Sequence, residues 1–439
     1  MALQALRNRR LHSGGDSKEG DFRSPSQKDR DRILYTSAFR RLAEVTQVVA
    51  ANNAHVFHNR LTHSLQVAQV GRRITENLAR APASLLDEVG GLDPDVVEAG
   101  CLAHDLGHPP FGHAAEEELN DSLGKECGGF EGNAQSFRIV SKLAFKSVDH
   151  RGLDLTCATL SAILKYPWFL GENPQYPSKW GAYKSEEKDF RFARDLMPGE
   201  ELQRTAEADI MDWADDVTYA VHDIEDFYRA GRVPLHLLAN RHDDKERKEF
   251  FEDVFDRRKG AGGIWTSPRS DLEEAFTDLI VLNFRIDQPF YGTQDQRSRL
   301  RKFTAFLIGR FINAIELRRP TPENRSRTQS NPELVKEVAM LKELTWTYVI
   351  KAPSLAAHQH GQRRVIHELF QILCEAALNR RTRKILPIFY QQQMEDCLDS
   401  EVKRLVVDLI AGMTERQAVA MHQRLKGLAP GSGLEEILA

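Results

Sequence analysis

The segment LTHSLQVAQVGRRITENLAR, residues 61–80, decides the fold class. Val67, Val70, Gly71, Ile74 and Leu78 recur three or four positions apart, which places them on one face of a helix. The same spacing returns at Val96, Ala99, Gly100 and Ala103 within 95–106. It returns again at Ala206, Ile210, Ala214, Val217, Val221 and Ile224 within 205–228. Beyond 333 it recurs at Val335, Val338 and Leu341, at Ile366, Leu369, Phe370 and Leu373, and at Val402, Leu405 and Leu409. No series of alternating strands and no internal repeat interrupts it. The predicted class is all-α.

Working outward, Pro, Gly and polar clusters near 81–94, 171–188, 256–270 and 318–332 break the helical pattern. Residues 1–30, rich in Arg, Ser, Gly, Asp and Lys, read as a flexible arm. A helical core is expected over 31–235 and a C-terminal helical region over 236–439, completing the site and making oligomer contacts. Of the 439 residues, 41% are apolar by type and 28% charged, which excludes a mainly disordered or collagen-like chain. A net charge of −4 excludes a globally basic nucleic-acid coat. No run of 18 apolar residues suggests a membrane span, and the basic stretch Met1–Arg10 is not followed by the apolar core of a secretory signal. The five cysteines (Cys101, Cys127, Cys157, Cys374, Cys397) form no C-x-x-C pair and read as reduced thiols of a cytoplasmic protein.

Four segments concentrate unusual chemistry: NRLTHS (59–64), HDLGHPPFGHAAE (104–116), LKYP (164–167) and WADDVTYAVHDIED (213–226). His63 lies four residues before Val67, on the buried stripe of its helix. His104 lies four after Gly100, with Asp105 next to it where Gly107 and Pro109 end the helix. Asp215 lies near the core stripe of a third helix. A lone histidine beside an apolar stripe is most often a satisfied core residue. Two histidines and two aspartates from three helices are another matter, because buried charges need pairing or a metal, and neutral imidazoles with carboxylates hold a divalent ion well. His113 and Glu116, at i and i+3 on a helix, let a carboxylate fix an imidazole tautomer. No glycine-rich phosphate loop is present, so side chains and metal must hold any phosphate.

The ordered set H…HD…D on an all-α chain resembles the HD-domain metal-dependent phosphohydrolases. The longer words DRDRILYTSAFRRLAEVTQV, NRLTHSLQVAQVGR, HDLGHPPFGHAAEEELN, GGFEGNAQSFR, LKYP and ADDVTYAVHDIED look like the deoxyguanosine triphosphate triphosphohydrolase branch. The resemblance runs from about 28 to 230, with echoes in SRLRKFTAFLIGRFI and HGQRRVIHELF. It implies that His63, His104, Asp105 and Asp215 hold one divalent ion: Mn²⁺, Mg²⁺, Fe²⁺, Ni²⁺ or Zn²⁺, with Mn²⁺ or Mg²⁺ favoured. Asp215 rather than Asp216 is chosen because D-x-x-x-Y-x-x-x-D fits Asp215, Tyr219 and Asp223, and the latter two would line the nucleotide pocket. His113 and Glu116 would be the acid/base pair. His108 would face the phosphates, Arg60 would grip one of them, and Lys165 would add charge for the triphosphate tail. Tyr166 would stack on sugar or base. Gln47 would read the sugar 3′-hydroxyl, and Val48 would close the space of a ribose 2′-hydroxyl. His55, His58 and His222 are left as surface or supporting histidines.

The expected reaction is hydrolysis of a 2′-deoxynucleoside triphosphate to deoxynucleoside and inorganic triphosphate. The resemblance further implies a homo-oligomer such as a hexamer, and an activating dNTP at a second site. One rival is an HD hydrolase of another nucleotide phosphoester. A rival of another class is a nucleotide-sensing regulator that binds nucleic acid such as single-stranded DNA, motivated by arginine-rich stretches at 7–10, 38–41 and 379–384. Solvated helix faces are the preferred account of those arginines.

Overall fold

A computed structural model describes residues 2–12, 20–47, 58–200, 202–395 and 397–428. The described residues form twenty α-helices and one two-stranded hairpin, Ile315–Leu317 antiparallel to Thr328–Ser330 with Glu316 opposite Gln329. The chain is therefore all-α, and the hairpin lies at the near edge of the last break read in the sequence.

Three helices build the centre: Arg60–Leu78, Pro94–Ala103 and Ala206–Arg229. Each starts where a polar side chain satisfies the first free N–H groups. Asn59 caps the first and exchanges bonds with Thr62; Asp93 caps the second ahead of Pro94; Thr205 caps the third. The helices pack on one another, and Gly71 allows the first two to cross closely. A Cβ there would come within 2.7 Å of Cys101 Sγ and 3.1 Å of Val97 Cγ1.

The main apolar core runs from Ile33 to Val349 and includes Val67, Ile74, Val97, Ile210, Val217, Phe276 and Leu341. It passes well beyond 235, because helices such as Arg269–Asn283, Gln294–Ile312 and Pro332–Thr345 pack in the same layer set as Ala206–Arg229. A second core joins the His113–Leu123 helix to Pro353–Leu378, Asp399–Ala411 and Glu415–Leu425. Arg138 ties the two units through buried bonds to Asp408 (2.7 Å) and Glu186 (2.5 Å).

The amino-terminal stretch departs from the expected flexible arm. Ala2–Asn8 and Pro25–Leu34 are helices. Arg7 is 3% exposed and pairs with Glu207 at 2.5 Å, and Arg10 meets Asp29 at 2.6 Å. The solvated-face account holds for the exposed Arg40, Arg380 and Arg381 but not for Arg7 and Arg41. Arg7 points inward, and Arg41 is buried against the carbonyls of Leu106, His108 and Met413. No helix among the described residues is long and apolar enough to cross a membrane. The five cysteines form no disulfide among the described residues.

Candidate active site

The carboxyl end of Pro94–Ala103 delivers His104 and Asp105 side by side, and the tight loop 106–112 turns the chain into the His113–Leu123 helix. Gly107 makes that turn feasible. A Cβ at this position would meet Gly132 O at 2.2 Å and Ser136 N at 2.3 Å, so the loop rides directly on the Gly132–Arg138 helix.

His63, His104, Asp105 and Asp215 converge. Asp215 Oδ1 lies 3.1 Å from His63 Nε2 and 3.6 Å from His104 Nε2, and Asp105 Oδ1 lies 3.6 Å from His104 Nε2. His104 Nδ1 sits 2.6 Å from the Cys101 carbonyl, which accepts a hydrogen bond from Nδ1–H and leaves the Nε2 lone pair aimed into the cluster. Nε2 is buried and has no hydrogen-bond partner. His63, His104 and Asp105 offer ligand atoms close enough to share one ion. The charges agree. Burial disfavours an ionised His104, yet Asp105 and Asp215 outweigh it and raise the ring to about 9, so the cluster calls for positive charge. Burial likewise opposes ionisation of both aspartates. Arg60 and the neighbouring histidines nonetheless hold Asp105 well below the usual carboxylate range, and Lys165 and His104 do so for Asp215. Two imidazoles, two ionised carboxylates and an orphaned ring nitrogen suit a divalent cation.

Around this cluster lies a cavity of about 580 Å³. Gln47, Arg60, His108, His113, Lys165, Tyr166 and Tyr219 are on its wall with His104, Asp105 and Asp215. Gln47 Oε1 is buried and without a partner among the described residues. Arg60 donates from Nη1 to Asp105 Oδ2 at 2.7 Å and from Nε to the Thr46 carbonyl at 2.9 Å. His108 Nδ1 is 2.9 Å from Asp105 Oδ1, and burial, with Arg60 beside it, lowers its ring to about 4. His113 is exposed to the cavity and bonds Glu116 Oε2 through Nδ1 at 2.8 Å. Lys165 contacts Asp212 at 2.7 Å and Asp215 at 3.1 Å, so its ammonium already belongs to the acidic end of the site. Asp216 faces Lys342 at 2.5 Å instead of the histidines. Asp223 is not among the cavity-lining residues. It is buried one turn deeper, where burial and Asp226 raise its carboxyl to about 8. Val48 and His55 lie outside the described residues. His58 and His222 stack on each other at 4.8 Å, and His58 Nδ1 bonds Asp226 at 2.7 Å.

Several residues here escape sequence reasoning. Glu116 Oε1 accepts from Gly132 N–H at 3.2 Å and from Lys179 Nζ at 3.3 Å, and Lys179 also meets Glu131 at 3.0 Å. Lys179 sits in the 171–188 stretch, which reads as a plain break. Gly132 and Glu131 belong to GGFEGNAQSFR, whose only signal was the resemblance itself. His108, His113 and Glu116 also lie close enough to hold an ion. There the Lys179 ammonium already neutralises the Glu116 carboxylate. The opposite wall comes from the C-terminal helices: Lys342, Trp346, Ile350, Gln359 and Arg363. Trp346–Ile350 is a π-helical turn, a distortion frequent at functional sites.

Comparison with known proteins gives the same reading. Residues 60–220 match the HD domain, and residues 328–424 match the phosphohydrolase-associated domain. A deoxyguanosinetriphosphate triphosphohydrolase-like protein of Streptomyces coelicolor is 39% identical over 424 residues, covering 92% of this chain and 93% of its own length. Proteins of the same description from Corynebacterium efficiens (34%, covering 94% of this chain and 93% of theirs) and a Shewanella species (30%, 97% of each) are similar throughout. With its cluster of two histidines and two aspartates set in an HD domain, the chain belongs to the family of deoxyguanosinetriphosphate triphosphohydrolase-like proteins.

Proposed function

We propose that the protein hydrolyses 2′-deoxynucleoside triphosphates to deoxynucleoside and inorganic triphosphate. One observation carries this reading: one cavity is lined by His104, Asp105 and Asp215, by His113 and by Gln47, with His63 paired to Asp215 and Glu116 to His113. A divalent cation held by the cluster would withdraw charge from the α-phosphate. Arg60, fixed by Asp105 and Thr46, presents its remaining N–H groups to the phosphates. His108, held neutral with Nδ1 on Asp105, stands beside them on the same wall. Glu116 holds Nδ1 of His113, which leaves Nε2 to take a proton from an attacking water. Attack in line with the 5′ oxygen releases the deoxynucleoside and leaves all three phosphorus atoms in one product. Gln47 receives the 3′-hydroxyl, and Tyr166 and Tyr219 flank sugar and base.

The same reading carries a Mn²⁺- or Mg²⁺-dependent activity, a homo-oligomer, an activating dNTP at a second site and a reducing, cytoplasmic setting for the unbridged cysteines. Arg7 and Arg41 are spent inside the fold, which leaves the exposed arginines of 379–384 as the stretch open to single-stranded DNA.

The test is product analysis on a dNTP and NTP panel with Mn²⁺ and Mg²⁺, using Asp105→Ala as the inactive control. Triphosphate release from dGTP or another dNTP is expected, with kcat/KM at least about tenfold above the matching NTP. A ribose would have to bury its 2′-hydroxyl unpaired, at a cost of about 1–3 kcal/mol. Release of monophosphate or diphosphate would favour another phosphoester hydrolase, and equal use of GTP and dGTP would refute the deoxyribose pocket.

A further inference from the structure

The C-terminal region reaches the site in a second way, away from the cavity wall. Glu415 is the first residue of the Glu415–Leu425 helix, behind the cap Thr414. Its Oε1 accepts two backbone N–H bonds from segments remote in sequence: Thr46 at 2.7 Å and Phe111 at 3.2 Å. Both donors line the catalytic cavity. Two residues earlier the Met413 carbonyl accepts from Arg41 Nη1 at 3.0 Å, and Arg41 Nη2 bonds the carbonyls of Leu106 and His108, each at 2.8 Å. Residues 413–415 therefore grip, directly or through Arg41, the segment that carries Thr46 and Gln47 and the loop that carries His108 and leads into His113.

Both loops need an external hold. Phe111 has φ 69° and Gly112 has φ 60°, so a non-glycine residue sits in the left-handed region immediately before the His113 helix. Such a conformation persists only where its surroundings over-determine it. Thr46 passes the constraint on: its carbonyl receives Arg60 Nε at 2.9 Å, and Arg60 Nη1 receives no freedom of its own, being bonded to Asp105. The carboxylate suits its place, since the positive end of a helix stabilises negative charge.

We infer that Glu415, with Arg41, is a positioning residue of the hydrolytic site, locking the 46–47 and 108–113 segments so that Gln47 and His113 face one substrate together. The inference rests on the proposed function for its kinetic consequence, and on the hydrogen-bond geometry alone for its structural one.

The test compares Glu415→Ala, Glu415→Gln and His422→Ala in the full chain with metal present. His422 lies on the same helix and anchors it to Glu368 at 2.7 Å. Backbone hydrogen exchange is read over residues 42–47 and 106–113, with kcat and KM for the preferred dNTP and with Tm. Glu415→Ala is expected to speed exchange in both segments, to raise KM and to lower kcat/KM about tenfold or more. Glu415→Gln keeps a carbonyl acceptor and should recover most of both. His422→Ala should lower Tm without either effect. The inference is overturned if Glu415→Ala leaves exchange in those segments unchanged, or if His422→Ala reproduces its kinetic loss. If the wild-type chain releases no triphosphate from any dNTP, the proposed function falls, while the exchange comparison still decides the role of Glu415.

Discussion

At the residue scale, His113 and Glu116 show how one side chain prepares another. Glu116 is held by three donors, His113, Gly132 and Lys179. Burial works against its charge, but His113 and Lys179 prevail, and the carboxyl stays far below its ordinary range and ionised under working conditions. His113→Ala should therefore keep metal and substrate while lowering kcat by about 10²–10⁴, the usual worth of a general base. Glu116→Gln should cost less, because an amide oxygen can still accept from Nδ1. Steady-state kinetics with metal analysis checks this, and a rise in KM at constant kcat in His113→Ala would make His113 a binding group. His113 and Glu116 were legible because their partnership is local, three residues on one helix. Lys179 was not, since it meets Glu116 across 63 positions and from a loop whose sequence carries no periodicity. Asp215 was told from Asp216 only by the resemblance to the D-x-x-x-Y-x-x-x-D motif, and the structure turns Asp215 to the histidines and Asp216 to Lys342.

At the scale of elements, helices with a strong apolar stripe were readable to within a residue or two. The one read over 61–80 spans Arg60–Leu78, and the one over 205–228 spans Ala206–Arg229. Ala2–Asn8 was unreadable because its seat is an ion pair with a helix 200 positions away, which leaves no local pattern. The loop 106–112 depends on a contact equally invisible in sequence, the approach of Gly107 to the backbone of Gly132 and Ser136. Those atoms are main chain and cannot swing aside. Gly107→Ala should therefore force the His104–His113 segment off the Gly132–Arg138 helix, destabilising the fold by about 1–3 kcal/mol, as overpacking does, and abolishing activity. Denaturant unfolding and turnover measured together check it, and wild-type stability in that variant would show the close approach to be absent in solution.

For the whole molecule, two cores meet at the catalytic cavity, so stability and function share buried charges. Asp223 is the clearest case. Burial and Asp226 raise its carboxyl to about 8, against 3.8 for the free group. The folded chain therefore holds a proton that the unfolded chain releases. Stability from this group is full below pH 3.8 and is lost progressively as pH rises to about 8. Asp223→Asn mimics the protonated form, so its Tm relative to wild type should climb between pH 5 and pH 9. A Tm difference that stays flat across that range would show Asp223 to be ionised in the fold.

The pairing of Arg7 with Glu207 also sets a timetable for biosynthesis. The guanidinium leaves the ribosome 200 positions ahead of its carboxylate. At 5–20 residues per second that is a wait of about 10–40 s, during which the first helix lacks its buried ion pair and stays open to chaperones and proteases.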